Sequence, residues 1–309
     1  MALFWRSKIL VMEIESTYGV SADPDGADAV LAKDVTLSPM EGNDLDRELE
    51  QPFFGSTGSI PTELHVKLSF KVELAPSGTA GTAPAWGKLL RICGVAETII
   101  AATSVAYNPI TDDPEAGTIQ FFIGGTRHVM LGARGTASFE MTANQIPYIN
   151  FELWGLFSLP TEEIRPTPNL SAWKRPQEVG DTYTTLTLDG EAGLIMRKFM
   201  MSMNNQVEPR FLVGSEEILI TDRTEQIECT IEATDLATYN PYSAAFNQSE
   251  IAMTLAHGTG AGRIATFGFT KAQMQRPQGL ETPQNITEWP LRLVPIPTAG
   301  SDQWTLTLT

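Results

Sequence analysis

The sequence predicts a mainly β protein built as two tandem domains of one fold, each with one short helix or small lid. Three observations carry that expectation. Between His65 and Leu74, the apolar residues Val66, Leu68, Phe70, Val72 and Leu74 alternate strictly with His65, Lys67, Ser69, Lys71 and Glu73, the period-two signature of a strand with one buried face. A loop rich in glycine and small residues, Ser77–Pro84, then leads into the short helical stretch Trp86–Gly94. Finally, the same order of strand, small lid, hairpin and last strand returns in the second half of the chain, with Val66 set against Ile227, Leu68 against Cys229 and Phe70 against Ile231.

Taken in order, residues 5–15 read as an initial strand or arm and Ser16–Gly26 as a loop, with Asp23-Pro24-Asp25-Gly26 a turn signal. Val30–Pro39 reads as a strand. Met40–Thr62 reads as a long acidic connection carrying Glu41, Asp44, Asp46, Arg47, Glu48 and Glu50, then Phe53 and Phe54. Connections of that length within a compact domain are usually functional, and two aromatics beside an acidic run favour a hairpin or arm that packs on another subunit. In the short helix, Pro84 suits the start and Gly94 the left-handed cap. Trp86, Leu89, Leu90 and Cys93 fall on one face at helical spacing and form the expected core of the helix lid.

Thr98–Tyr107 reads as one strand, Thr118–Ile123 and Arg127–Ala133 as a hairpin across Gly124-Gly125, and Gly135–Thr142 and Ile149–Phe157 as the last strands of the first half. Ser158–Asp181 has linker composition, with Pro160, Pro166, Pro168 and Pro176 among charges. In the second half, Phe199–Ser202 reads as a strand, Asn204–Val213 as a connection with Glu208 and Arg210, and Ile227–Ala233 as the alternating strand. Thr234–Phe246 takes the place of the lid, a hairpin spans Leu255–Arg263 with a longer turn, and Ile286–Ile296 is the final strand. The expected boundaries are 1–157, with an N-terminal arm and the acidic loop 41–62; a linker at 158–181; and 182–309, with a C-terminal extension.

Composition narrows the function. A net charge of -16 argues against a conventional DNA reader, which needs basic residues to neutralise phosphates. The apolar run at the N-terminus is broken by Arg6 and Lys8 and followed by Glu13 and Glu15, so no secretory h-region is expected. No apolar stretch is long enough for a membrane span, and no membrane role is expected. Cys93 and Cys229 sit at apolar-facing positions and read as buried free thiols.

Chemistry is poorly supported. The three histidines, His65, His128 and His257, stand apart in the sequence, with no HExxH and no paired Cys motif, so no metal is expected. The glycine loop at Ser77–Pro84 lacks the Gly-Lys-Ser/Thr of a phosphate loop, so no nucleotide cofactor is expected. Ser77, Ser104 and Ser202 lack the setting of a nucleophile elbow, and with 37 acidic residues carboxylate pairs arise by chance. No catalysis is expected. A carbohydrate- or receptor-binding β-sandwich, using Trp154, Trp173 and Tyr183, is the alternative from another class, with a hydrolase on a β scaffold third.

Several stretches carry a likeness. Leu37-Ser38-Pro39-Met40-Glu41-Gly42, Glu73–Gly87, Leu90-Arg91-Ile92-Cys93-Gly94 and Gly132-Ala133-Arg134-Gly135-Thr136 resemble the tail tube (major tail) proteins of long-tailed bacteriophages, most strongly over 30–157. The resemblance implies a β-sandwich or barrel with one helix per domain, in rings stacked into the hollow tube through which the genome leaves the capsid. Since single-domain members form hexameric rings, two copies per chain imply a trimer with pseudo-sixfold symmetry. The implied partners are the chain itself, the tape measure, tail terminator and distal tail proteins, and double-stranded DNA in passage without specific binding. The implied location is the virion tail, assembled in the host cytoplasm. On this reading Glu73, Glu228 and Glu232 are candidates to line the lumen, although Lys67 and Lys71 share that face. Glu41, Asp44, Asp46, Arg47, Glu48, Glu50, Phe53 and Phe54, with Arg210 as a charge partner, are candidates for contact with the next ring. The arm at 1–15 and the tail Ala299–Thr309 are candidates to bridge subunits by strand addition.

Overall fold

In the computed structural model, which describes residues 4–309, the first half begins with strand β1 (Lys8–Ile14). Met1–Leu3, the start of the expected arm, lie outside the described residues. There follow β2 (Lys33–Asp46), β3 (Ser59–Glu73), helix α1 (Gly87–Arg91), β4 (Val95–Ile100), β5 (Ser104–Pro109), β6 (Gly117–Ile123), β7 (Thr126–Thr142), β8 (Tyr148–Phe157) and β9 (Thr161–Glu162). The second half runs through β10 (Thr184–Leu188), β11 (Glu191–Ala192), β12 (Met196–Ser202), β13 (Asn205–Leu212), β14 (Ser215–Arg223) and β15 (Gln226–Glu232). It ends with helix α2 (Pro241–Phe246), β16 (Glu250–His257), β17 (Ala265–Met274), β18 (Glu288–Pro295) and β19 (Thr305–Leu308). The protein is mainly β, with few helices and one large sheet.

The pairings recur. In the first half β1 pairs with β6, β2 with β3, β3 with β8, and β7 with β6, β8 and β9. In the second half β10 pairs with β16, β12 with β15, β15 with β18, and β17 with β16, β18 and β19. The helices hold corresponding places, α1 between β3 and β6 and α2 between β15 and β16. Each ends in a residue at positive φ, Gly94 at 72° after α1 and Gln248 at 53° after α2, where a left-handed residue stops the helix.

The halves are joined directly. Antiparallel pairing of β7 with β12 sets Phe139 against Met201 and Met141 against Phe199, so one layer runs β2–β3–β8–β7–β12–β15–β18–β17. A second junction forms where β19 pairs with β5. Beneath the layer the apolar faces meet in one core that includes residues of both halves. At its centre the Phe139 ring stands 5.0 Å from that of Phe267 and 6.3 Å from that of Trp304, and Phe199 lies 5.6 Å from Phe267. The strands alternate because every second side chain enters this core, as in β3, where Val66, Leu68, Phe70 and Val72 are buried.

Around α1 the apolar side chains turn inward. Trp86, Leu89, Leu90 and Cys93 are all buried, and the Trp86 indole N–H donates to Ala75 O at 2.8 Å. Burial raises the thiol pKa of Cys93 and pushes that of Cys229 up to about 12, so both remain protonated, poorly reactive core residues.

Three sequence expectations need correction. Thr98–Tyr107 is not one strand: the chain turns at Ala101–Thr103, with Ala102 at φ 56°, and splits into β4 and β5. β-Branched residues on both sides of the turn hid it, because Ala-Ala-Thr is no turn signal. Met40–Thr62 is not all connection, since β2 and β3 stay paired to Asp46 and Ser59 and only the tip beyond them is a loop. Asn204–Val213 is likewise not a connection but β13, paired along its length with β14.

The proline-rich stretch 158–181 is largely irregular but tied down. Asn169 N donates to Gly26 O at 2.7 Å, Trp173 Nε1 to Ala29 O at 2.8 Å and Val179 N to Gln145 O at 2.9 Å.

Candidate functional site

The side of the long layer that faces away from the core is polar, and its residues can be read across the strands. One row runs Glu73, Tyr148, Glu140, Met200, Glu228, Arg292, each opposite the next on the neighbouring strand. A second runs Lys33, Lys71, Asn150, Ser138, Ser202, Gln226. Glu232 lies on the same side of β15 as Glu228, by the alternation with buried Ile227, Cys229 and Ile231. The three glutamates named from the sequence therefore share one face.

That face is not uniformly acidic. Lys71 Nζ stands 3.8 Å from Glu140, Lys33 Nζ 3.3 Å from the Tyr148 hydroxyl and 4.6 Å from its ring centroid, and Lys67 Nζ 5.5 Å from the Trp154 ring centroid. Arg292 lies across from Glu228. Acid and base alternate closely enough to neutralise one another locally, whereas the hairpin tip, with Asp44, Asp46, Glu48 and Glu50 around Arg47, concentrates negative charge.

The ends of the layer are held by more buried groups. Arg197 Nε donates to both carboxylate oxygens of Glu288 at 2.7 and 2.6 Å, with Glu288 buried. The Arg134 guanidinium lies 4.8 Å from the Tyr18 ring centroid and donates to Pro114 O at 2.7 Å and Ile218 O at 3.0 Å. Glu15 accepts from Thr118 Oγ1 and Gly132 N, both at 2.8 Å, and from Gly19 N at 2.7 Å. Sequence reading singled out none of these groups for such a role, because each pairs with residues far away in the chain.

The histidines do not converge on a common partner. His65 Nδ1 lies 2.9 Å from Glu63 O, and buried His257 has Nδ1 2.9 Å from Thr184 Oγ1. Among the described residues no three His, Cys, Asp or Glu side chains are grouped to hold a metal. Of the aromatics considered for ligand binding, Trp154 lies under Lys67 on the polar face while the Trp173 indole is bonded to Ala29 O.

Burial holds the pKa of His257 below its ordinary value of 6.5. The unfolded chain then binds a proton that the native site resists. The stabilising contribution is full above the unfolded pKa and declines as the pH falls through about 6.5 toward the lower native value. Urea unfolding at pH 7.5 and 5.5 is expected to show lower stability at pH 5.5, with His257→Gln reducing the difference; an unchanged difference would contradict this origin.

Two hairpins dominate the remaining surface. The β2–β3 hairpin breaks at Gly42 and Glu63, at φ 156° and 56°, and projects outward. Leu45, Leu49, Phe53, Phe54 and Ile60 are exposed, and Arg47, Glu48 and Glu50 lie beyond the paired strands. The β13–β14 hairpin breaks at the matching place, Asn204, at φ 48°, but folds back on the first half. Ile218 is wholly buried, and its backbone N–H donates to the Tyr18 hydroxyl at 2.6 Å. Arg210, opposite Glu217, remains exposed on the outer side.

A layered β fold with a two-part repeat, a polar sheet face and one projecting hairpin is accompanied by a family match: the model for phage tail tube proteins matches residues 5–290. The chain belongs to the phage tail tube protein family. No individual curated protein matches it. As a tail tube protein it has a structural role in the virion tail, self-assembling into the tube alongside other tail components.

Proposed function

We propose that three copies close into a ring with pseudo-sixfold symmetry, and that stacked rings form the tube through which genomic DNA is ejected. The observation that carries this reading is the β7–β12 junction, which joins the two repeated halves edge to edge within one chain. The same joint is available between chains. Among the described residues, the outer edge of β2 carries no strand, while the stretch after β17 continues beside β18 through Gln275 N to Arg292 O at 2.8 Å. Pairing β2 of one copy with 275–280 of the next repeats the internal joint and removes both open edges.

Size favours three. Sixteen strands at ~4.8 Å spacing and a tilt of ~40° close at roughly 32 Å across the backbone, which side chains narrow to about the width of a duplex; twenty-four close at roughly 48 Å. With three copies, the polar face bearing Glu73, Glu228 and Glu232 lines the lumen. Its interleaved lysines and glutamates give DNA neither a basic track nor a strong barrier. The hairpin tip, with Arg47, Glu48, Glu50, Phe53 and Phe54, reaches the next ring, and Arg210 offers it a charge partner.

On this reading each half, 1–157 and 182–309, is one tail-tube unit, joined through 158–181. The other partners are the tape measure, tail terminator and distal tail proteins, with assembly in the host cytoplasm. Negative-stain microscopy of the purified protein tests the central claim. Rings or tubes with a bore of about 20 Å or more, enough for duplex DNA, are expected, and a protein that stays monomeric at every concentration would overturn it.

A further inference from the structure

The internal repeat also indicates where the base of the projecting hairpin goes. The bases of the two hairpins pair in the same order, with one extra residue, Thr221, bulging from the second. Asn43 stands opposite Thr62, Asp44 opposite Pro61 and Leu45 opposite Ile60; in the second half Asn205 stands opposite Arg223, Gln206 opposite Asp222 and Val207 opposite Ile220. One hairpin is seated and the other is not.

The seated one shows what the contact requires. Asn205, buried, donates from Nδ2 to Cys93 O at 2.7 Å and Gly135 O at 2.9 Å, and its backbone N–H donates to Thr136 Oγ1 at 3.0 Å. Arg223 donates to Ile110 O and, at 3.4 Å, to Gly94 O. Ile220 packs on Gly94, where an added Cβ would stand 3.4 Å from its Cδ1. The seat is thus the end of α1, with its left-handed Gly94, together with Gly135 and Thr136 of β7.

The counterpart of that seat in the second half is the end of α2, with its left-handed Gln248, and the stretch after β17. It is vacant among the described residues: Phe246 at the end of α2 is 86% exposed and Leu280 is 56% exposed. On the hairpin, Leu45 and Ile60 are 56% and 53% exposed, although their counterparts Val207 and Ile220 are at least partly covered. Charge agrees as well, since the acidic hairpin would meet exposed Arg276.

We infer that the base of the β2–β3 hairpin, through Asn43, Leu45 and Ile60, docks on the α2 end and the 276–280 stretch of a second copy in the same ring. The inference rests on the ring reading and adds a specific lateral lock to it. Asn43 takes the role of Asn205, donating to main-chain oxygens at the end of α2 and after β17. Ile60 lies on Gln248 as Ile220 lies on Gly94. Only the tip beyond Asp46 remains for contact along the tube axis.

The double variant Ile60→Cys/Gln248→Cys, treated with a short bismaleimide after assembly, tests this. The two native thiols are buried and stay out of the reaction. Lateral docking closes on itself, so denaturing gels are expected to show covalent species up to a trimer and no larger. Co-assembly of the two single variants should give covalent dimers, which excludes a bridge within one chain. A ladder extending past the trimer would mean that the hairpin base joins successive rings, and tubes without cross-links would mean that it docks elsewhere; either overturns the inference. Failure to form rings with unmodified protein would instead remove the ring reading and the inference together. The pair Leu45→Cys/Asn247→Cys, at neighbouring positions, repeats the test if the first variant is poorly folded by circular dichroism.

Discussion

A chain lacking Asp44–Phe54 is expected to fold with a thermal midpoint within a few degrees of the parent and to form no tubes. The deleted residues contribute nothing to the buried core, and their side chains are exposed or bonded only within the hairpin. Surface changes away from the core usually shift stability by about 0.5 kcal/mol or less. Assembly is expected to be lost completely, because the deletion removes Leu45 from the lateral contact and Arg47, Glu48, Glu50, Phe53 and Phe54 from the axial one. Thermal unfolding followed by circular dichroism and microscopy of the same sample separate the two effects. Tubes of normal length from the deleted chain would refute the assignment of both contacts, and an unfolded product would show that the hairpin serves the fold.

The second large effect lies at the opposite place, inside. Phe139→Ala is expected to destabilise the whole chain by about 3–5 kcal/mol, the usual range for removing a buried aromatic ring. Phe139 comes from the first half, yet its ring packs on Phe267 and Trp304 of the second. Because the core is shared, the variant should unfold in one transition at lower urea concentration, with both halves lost together. Fluorescence, which reports on tryptophans in both halves, and hydrogen exchange along the chain should give coincident midpoints. Two separated transitions, with the second half unaffected, would show that the halves fold as independent bodies despite their common sheet.

The fold class was legible because alternation is a local signal. Val66 to Leu74 and Ile227 to Ile231 announce half-buried strands without reference to anything else, and the helix lid showed itself through Trp86, Leu89, Leu90 and Cys93. Two kinds of feature were hidden. Turns made of ordinary residues, such as Ala101-Ala102-Thr103, leave no glycine or proline mark. Strands whose outward residues are charged and whose inward ones meet another part of the chain, such as 205–223, read as connection because their partner surface is absent from any local window. The candidate site was legible only in part: Glu73, Glu228 and Glu232 could be placed on polar strand faces, but the basic residues opposite them are set by register. Asn43 and Asn205 look like two unremarkable polar residues until the paired hairpins are superposed by their registers.

The β7–β12 junction also bears on how a ring could start. In a ring of the proposed kind, every second joint between units is already made when the chain folds. Three molecules need to meet where single-unit chains need six, and each avoided encounter spares the translational and rotational freedom that association would otherwise remove. The smallest closed nucleus is therefore reached through fewer collisions, and its formation should depend less steeply on protein concentration. Fusion also breaks the equivalence of the six positions. One hairpin in each pair is retained as an internal brace, leaving the other free for neighbours, so the assembled ring presents three outward handles to whatever stacks upon it.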